Sequence, residues 1–173
     1  MSAEPRLSRP ALTFTHEAPQ DQPAIEALLD RAFGPGRFVK SSERVREFAE
    51  FAPELSFCAW SDGDLLGVVR MWRVQVGGTP VVFLGPLAVD DGQRSAGVGG
   101  GLVERACEAA RQARETAVML VGDGPYFSRF GFEAQTARQV RMPGPVDQRR
   151  VLVCAFKDLG EGLCGPVEAP EPA

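Results

Sequence analysis

This chain of 173 residues has one histidine, His16, and four cysteines, Cys58, Cys107, Cys154 and Cys164, none of them in a C-x-x-C spacing. One imidazole and dispersed thiols cannot complete a usual zinc set, so no metal is expected and the cysteines read as small buried apolar side chains. No apolar run approaches the roughly 20 residues of a membrane span. The opening MSAEPRLSRPAL lacks the charged-then-apolar layout of a signal peptide. A cytoplasmic protein with no membrane partner is therefore expected. Basic residues are scattered rather than grouped, and the net charge is −4, which argues against a nucleic-acid partner. No internal repeat is present. An apolar fraction of 44% over this length suits one core and one domain.

What is present centres on VFLGPLAVDDGQRSAGVGGGLVERACEAARQA, residues 82–113. Val82, Phe83, Leu84, Leu87, Ala88 and Val89 form a strand-like apolar run, and Gly85-Pro86 inside it predicts a bulge or a splay. A polar loop follows. From Val98 the apolar positions Leu102, Val103, Ala106, Ala109, Ala110 and Ala113 recur at helical spacing. The helix is about sixteen residues, roughly 24 Å long. Gly97, Gly99, Gly100 and Gly101 crowd its start, although an internal glycine costs about 1 kcal/mol relative to alanine. One physical reason to tolerate that is ligand access: a helix start offers unpaired N–H groups and the positive end of its dipole to an anion such as phosphate.

Three phosphate-binding patterns compete for the loop. A Walker A loop fails, because no lysine and serine or threonine follow its last glycine. A dinucleotide fingerprint stays open as an alternative: Gly97 and Gly99 fit its first two glycines, Leu102 occupies the third position, and Asp123 follows the next strand. The third pattern is arginine or glutamine, two residues, glycine, one residue, then glycine or alanine. Arg94-Ser95-Ala96-Gly97-Val98-Gly99 satisfies it.

Elsewhere, Leu12–Glu17 alternates as a short strand, and residues 1–11 read as a flexible lead. Asp21 is placed to cap a helix with Pro23 in its first turn; Ile25, Leu28, Leu29 and Phe33 form its buried stripe. A second helix is expected from Ser41-Ser42 through Val45, Phe48 and Phe51 towards Pro53, with Glu43, Glu47 and Glu50 on a solvated face. Ser56–Trp60 and Leu65–Val74 read as strands joined by Asp62-Gly63, a hairpin signal, and Gly77-Gly78 turns into the central strand. After the central helix come a short strand at Ala117–Val121, parallel to the strand ending at Val89, and a last strand at Val151–Phe156. Residues 161–173, ending in GPVEAPEPA, read as a disordered acidic and proline-rich tail.

The loop pattern, together with FGPGRFVKSSERVRE and LVGDGPYFSRFGF in this order, resembles the GNAT superfamily of acyl-CoA-dependent N-acyltransferases, in its branch of small bacterial predicted N-acetyltransferases. The resemblance spans residues 12–160, taken as a single domain. It implies an α/β (α+β) fold: a mixed, mostly antiparallel sheet with a splayed central parallel strand pair, flanked by helices. It further implies transfer of an acetyl group from acetyl-CoA to a primary amine by direct attack in a ternary complex. The alternative is a catalytically weak or inactive CoA-binding or sensing module on the same fold.

By the same resemblance, Leu87, Ala88 and Val89 would pair with the pantetheine, and the N–H of Val89 or Leu87 would polarise the thioester carbonyl. Arg94, Ser95, Ala96, Gly97, Val98, Gly99 and Gly100 would hold the diphosphate. Tyr126 and Phe127 would adjoin the cofactor. In this family a tyrosine four residues before the glycine of the final Gly-Phe often protonates the leaving thiolate. Here that position is Phe127, with Tyr126 one residue earlier. The alternatives are Tyr126 acting through a shifted turn, Ser128 or water in its place, or departure without an acid. Glu17, Asp90 and Asp123 are candidate bases, beside proton loss to ordered water. The amine partner is not encoded in any motif. Loops around 34–42 and 141–150 are expected to shape its site, and a homodimer is compatible with the sequence.

Overall fold

The computed structural model describes residues 11–34, 41–93 and 97–172. Arg94, Ser95 and Ala96, and most of the 34–42 loop, lie outside them. Strand β1 (Thr13–His16) leads into helix α1 (Gln22–Phe33), α2 (Ser41–Phe48) and a two-residue strand β2 (Glu50–Phe51). The antiparallel meander β3 (Phe57–Ser61), β4 (Asp64–Val76) and β5 (Thr79–Val89) follows, then α3 (Val98–Gln112), β6 (Ala117–Val121) and the one-turn α4 (Gly124–Phe127). Strands β7 (Gln139–Arg141), β8 (Val151–Ala155) and β9 (Cys164–Glu168) complete the chain. No helix among the described residues is long and apolar enough to cross a membrane.

Local chemistry sets these boundaries. At the β3–β4 turn both Asp62 and Gly63 take positive φ, 51° and 82°, the geometry in which an Asp-Gly pair matches the twist of a hairpin. Asp21 stands one residue before α1, but its carboxylate accepts the N–H of Ala18 at 2.9 Å and braces the preceding turn instead of capping the helix. Phe51 belongs to β2 rather than to the second helix: it pairs with Trp72 and their rings lie 4.9 Å apart. Pro53 is too close for a helix to continue.

The main path of the sheet runs β1-β3-β4-β5-β6-β8 and is antiparallel except for β5–β6, which the α3 crossover makes parallel; off this path β7 and β9 also pair parallel. Alternation along the strands sends side chains to two buried faces. Val69, Met71, Val82, Leu84, Val118 and Leu120 meet the apolar stripe of α3, formed by Val98, Leu102, Val103, Ala106 and Ala110. Phe83 and Met119 face the other way and share a cluster with Val45 of α2. Ile25, Leu28 and Leu29 of α1 cover Cys58, Val68 and Ala88. Each of the valine, leucine, isoleucine, methionine and phenylalanine side chains among them contributes about 1.5–3 kcal/mol on burial.

Two expectations are corrected. The tail is not disordered between Cys164 and Glu168: this segment pairs antiparallel with β4 at Gln75–Val76 and parallel with β7. Val167 is buried, and the N–H of Gly77 donates to the Pro166 carbonyl at 3.1 Å. One buried apolar residue and paired backbone groups suffice for so short a strand, and its single proline, Pro166, lacks an N–H but still accepts through its carbonyl. Phe33 leaves the buried stripe of α1, being 39% exposed, because at the last helical position it turns towards the clefts described next.

Candidate active site

The site begins where the parallel pair stops pairing. Strands β5 and β6 are in register only at Val82–Val118 and Phe83–Met119. On the β4 side, Val69 opposes Leu87 and Met71 opposes Leu84, so Gly85 and Pro86 together face the single residue Arg70. The extra residue makes a bulge, which bends a strand and breaks its ladder. Beyond it lies a cleft of about 630 Å³, with Leu84, Pro86 and Leu87 on one wall and Leu120, Asp123 and Phe127 on the other.

A second groove, about 470 Å³, runs between Leu87–Val89 and the start of α3, where Gly97, Gly99 and Gly100 form its floor with Tyr126 and Arg129 above. Leu87 and Phe33 line both spaces, so the two meet at Leu87. Gly97 is the N-cap of α3 with φ 77° and ψ 12°, a left-handed conformation that favours glycine. The first intrahelical bond runs from the Gly101 N–H to the Gly97 carbonyl at 3.0 Å. The N–H groups of Val98, Gly99 and Gly100 therefore precede any helical acceptor. Among the described residues no atom stands within 4 Å of where a Cβ on Gly97 would sit. Among the described residues, nothing covers the helix at Gly97.

The glycines do not all serve that opening. A Cβ on Gly99 would come within 3.2 Å of the Tyr126 hydroxyl and 3.4 Å of Val89 Cγ2, filling the groove. A Cβ on Gly101 would meet the Phe14 ring at 2.9 Å, so that glycine lets β1 pack against the helix.

Asp123 caps α4, its carboxylate accepting the Tyr126 N–H at 3.0 Å. This cap fixes the turn so that consecutive aromatics diverge: Tyr126 lines the groove at the helix start, whereas Phe127 is buried against the splayed cleft. Their rings are edge-to-face at 4.8 Å. The guanidinium of Arg129 stacks over Tyr126 at 4.3 Å, and its Nε donates to the Tyr126 carbonyl at 3.1 Å. Ser128 is exposed, and its hydroxyl donates to the Pro125 carbonyl at 3.0 Å.

Of the three candidate bases, only Asp123 lines a cleft. Glu17 is 5% exposed and accepts from Arg70 at 3.0 and 2.8 Å, which removes it from the site. Asp90 accepts the Gly92 N–H at 3.1 Å and lies 3.8 Å from Arg31. Sequence reasoning missed several cleft residues. Arg129 follows Tyr126 within the motif, and its charge was the available signal. Arg44, Arg46, Asp147 and Arg150 come from α2 and from the 141–150 segment, and only the tertiary fold brings them to one cleft. Hydrogen bonds from the Arg149 side chain, and then from its backbone N–H, hold the Asp147 carboxyl below the usual carboxylate range.

Comparison with known proteins agrees with this geometry. The model of the acetyltransferase (GNAT) family matches residues 23–132. The uncharacterized N-acetyltransferase YhbS of Escherichia coli (strain K12) is 32% identical over 159 residues, covering 90% of this chain and 94% of that protein. The crystal structure of E. coli YhbS in complex with CoA superposes with a TM-score of 0.76 at 28% identity, over 99% of this chain and 94% of that one. A GNAT family acetyltransferase from Brucella melitensis in complex with acetyl-CoA gives a TM-score of 0.68 at 25% identity, over 92% and 96% of the two chains.

Proposed function

The chain belongs to the GNAT acetyltransferase family, and we propose that within it this protein transfers an acetyl group from acetyl-CoA to a primary amine by direct attack. The observation that carries the reading is the junction at Leu87, where a helix-start groove runs into a cleft between parted parallel strands. A bound acetyl-CoA would supply the activated acyl group as a thioester. The N–H groups of Val98, Gly99 and Gly100 face the region suited to its diphosphate, and Arg129 adds a positive charge beside them. Leu87, Ala88 and Val89 offer backbone to the pantetheine.

Leu87, shared by both spaces, is the better placed of the two residues whose N–H can polarise the thioester carbonyl; Val89 lines only the cofactor groove. The acceptor nitrogen forms the new C–N bond as the C–S bond breaks. One proton leaves nitrogen and the thiolate takes one up. A lysine-like amine is only about one part in a thousand neutral near pH 7.4, which costs about 4 kcal/mol. Asp123, the one candidate carboxylate on the cleft wall, receives the amine proton directly or through water. Tyr126 is the only tyrosine of the chain, and its hydroxyl in the cofactor groove is the acid for the thiolate.

A second reading, a CoA-binding module without turnover, is favoured by one observation. Phe127, not a tyrosine, occupies the cleft position where this family often keeps its acid. The test is release of free CoA from acetyl-CoA across a broad amine panel. Turnover that disappears in Gly97→Glu supports transfer; binding of acetyl-CoA with no turnover on any amine supports the second reading.

A further inference from the structure

The wall of the splayed cleft beyond Leu87 carries two guanidinium groups, Arg44 and Arg150, that form no ion pair among the described residues, although Asp147 on the same wall is near enough to Arg150 to feel its charge. Arg44 projects from α2, and its Nη1 donates to the Pro143 carbonyl at 3.3 Å. Arg150 stands just before β8, where its Nε donates to the Gly122 carbonyl at 3.3 Å and its own carbonyl accepts the Gly122 N–H at 2.9 Å. Gly122 directly follows β6 and lines the cleft, so Arg150 is tied to the mouth of the cleft. Each guanidinium has five N–H donors. Among the described residues, each makes a single side-chain hydrogen bond, to a carbonyl, and neither has a carboxylate within ion-pair distance.

The acids nearby are already engaged. Asp147 is gripped by Arg149 through Nε at 3.1 Å and Nη2 at 3.0 Å. Asp123 caps α4 through Oδ2, and Glu43 pairs with Arg46. Thus two anchored forks face a cleft whose other charged groups, Arg46, Asp123 and Asp147, each have a hydrogen-bond partner, and which at Phe33, Pro145 and Val146 is apolar. Such a fork matches the planar oxygens of a carboxylate or the oxygens of a phosphate, and the same two charges repel a polycationic amine.

We infer that the acceptor is a small amine that also carries an anionic group, carboxylate or phosphate, which Arg44 and Arg150 hold while the apolar wall takes the rest of the molecule. The inference rests on the acetyl-transfer reading for the amine, but the anion grip is measurable without turnover.

The experiment titrates matched amines calorimetrically into the CoA-saturated protein: an α-amino acid against its carboxamide, phosphoethanolamine against ethanolamine, and spermidine. The anionic member of at least one pair should bind about tenfold or more tightly than its neutral counterpart, and the responding pair identifies carboxylate or phosphate. That advantage should vanish in the double variant R44Q/R150Q. It should survive in part in R150K, which keeps the charge and loses the fork; CoA binding and the melting temperature report that each variant is folded. Equal or tighter binding of neutral or cationic amines, or an anionic advantage that persists in R44Q/R150Q, overturns the inference. Acetyl transfer to neutral amines with no anionic preference would leave the transfer reading standing and sink this one. An Arg-dependent anionic preference with no transfer would do the reverse.

Discussion

The hydroxyl of Tyr126 lies 3.2 Å from the point that a Cβ on Gly99 would occupy, so a phenol from the turn after β6 and a side-chain-free position in the first turn of α3 share one groove. If that phenol protonates the departing thiolate, Tyr126→Phe should lower kcat about a hundredfold with little change in the KM for acetyl-CoA. Steady-state kinetics at saturating amine would check this. An unchanged kcat would mean that the ring only packs and that the thiolate leaves without a tyrosine.

The Arg70–Glu17 pair is a structural element rather than a catalytic one. Glu17 is 5% exposed and the Arg70 side chain 10%, and Arg70 also donates to Gln22 at 2.8 Å. Among the described residues, removing Glu17 leaves the buried Arg70 with only the half-exposed Glu26 carboxylate at 3.9 Å as an ion-pair partner, so Glu17→Ala should destabilise the fold by about 2 kcal/mol, below the full loss of a buried pair. Urea unfolding would show a lowered midpoint. A shift within the error of the wild type would contradict the assignment.

The thiols should differ sharply in reactivity. Burial pushes Cys58 up to about 12, with the Asp21 and Glu17 carboxylates adding to it; burial likewise pushes Cys107 to about 12 and raises Cys154. Cys164 is exposed. Alkylation of the native protein at pH 8 followed by mass spectrometry should modify Cys164 alone, and all four after unfolding. The same shifts set a pH dependence. Below the ordinary thiol pKa of about 8.5 neither state ionises and stability is unaffected. As pH rises from there towards about 12 the unfolded chain sheds thiol protons that the fold retains, so stability should fall.

Deleting residues from Cys164 onward should destabilise the protein, because β9 covers backbone groups of β4 at Gln75–Val76 and buries Val167. The loss of that side chain alone amounts to about 1.5–3 kcal/mol. A truncated chain with the wild-type melting temperature would show the segment to be dispensable.

How far the sequence could be read depends on the range of the interactions involved. The strand and the glycine-rich helix of residues 82–113 are legible because their periods are local, and Gly85-Pro86 announces the bulge opposite Arg70. The tail departs from its composition: proline and glutamate dominate GPVEAPEPA, while the features that matter are the buried Val167 and the Pro166 carbonyl that accepts the Gly77 N–H. Phe33 fits a helical stripe by spacing, but it closes α1 where the stripe no longer meets the core. Arg44 lies in the FGPGRFVKSSERVRE segment and Arg150 at the end of the 141–150 stretch expected to shape the acceptor site, but no local pattern sets their roles, and only the packing of α2 and that stretch near the end of β6 makes them neighbours of one cleft. Glu17 looked free as a base because its partner, Arg70, lies fifty-three residues away.

The most direct test of the account is a calorimetric titration of acetyl-CoA into the wild-type protein and into Gly99→Val, whose side chain would enter the groove between Val89 and Tyr126. The account predicts saturable binding at one site in the wild type, weakened about tenfold or more in the variant, with both proteins melting cooperatively. No binding by the wild type at saturating acetyl-CoA, or equal binding by the two proteins, would contradict it.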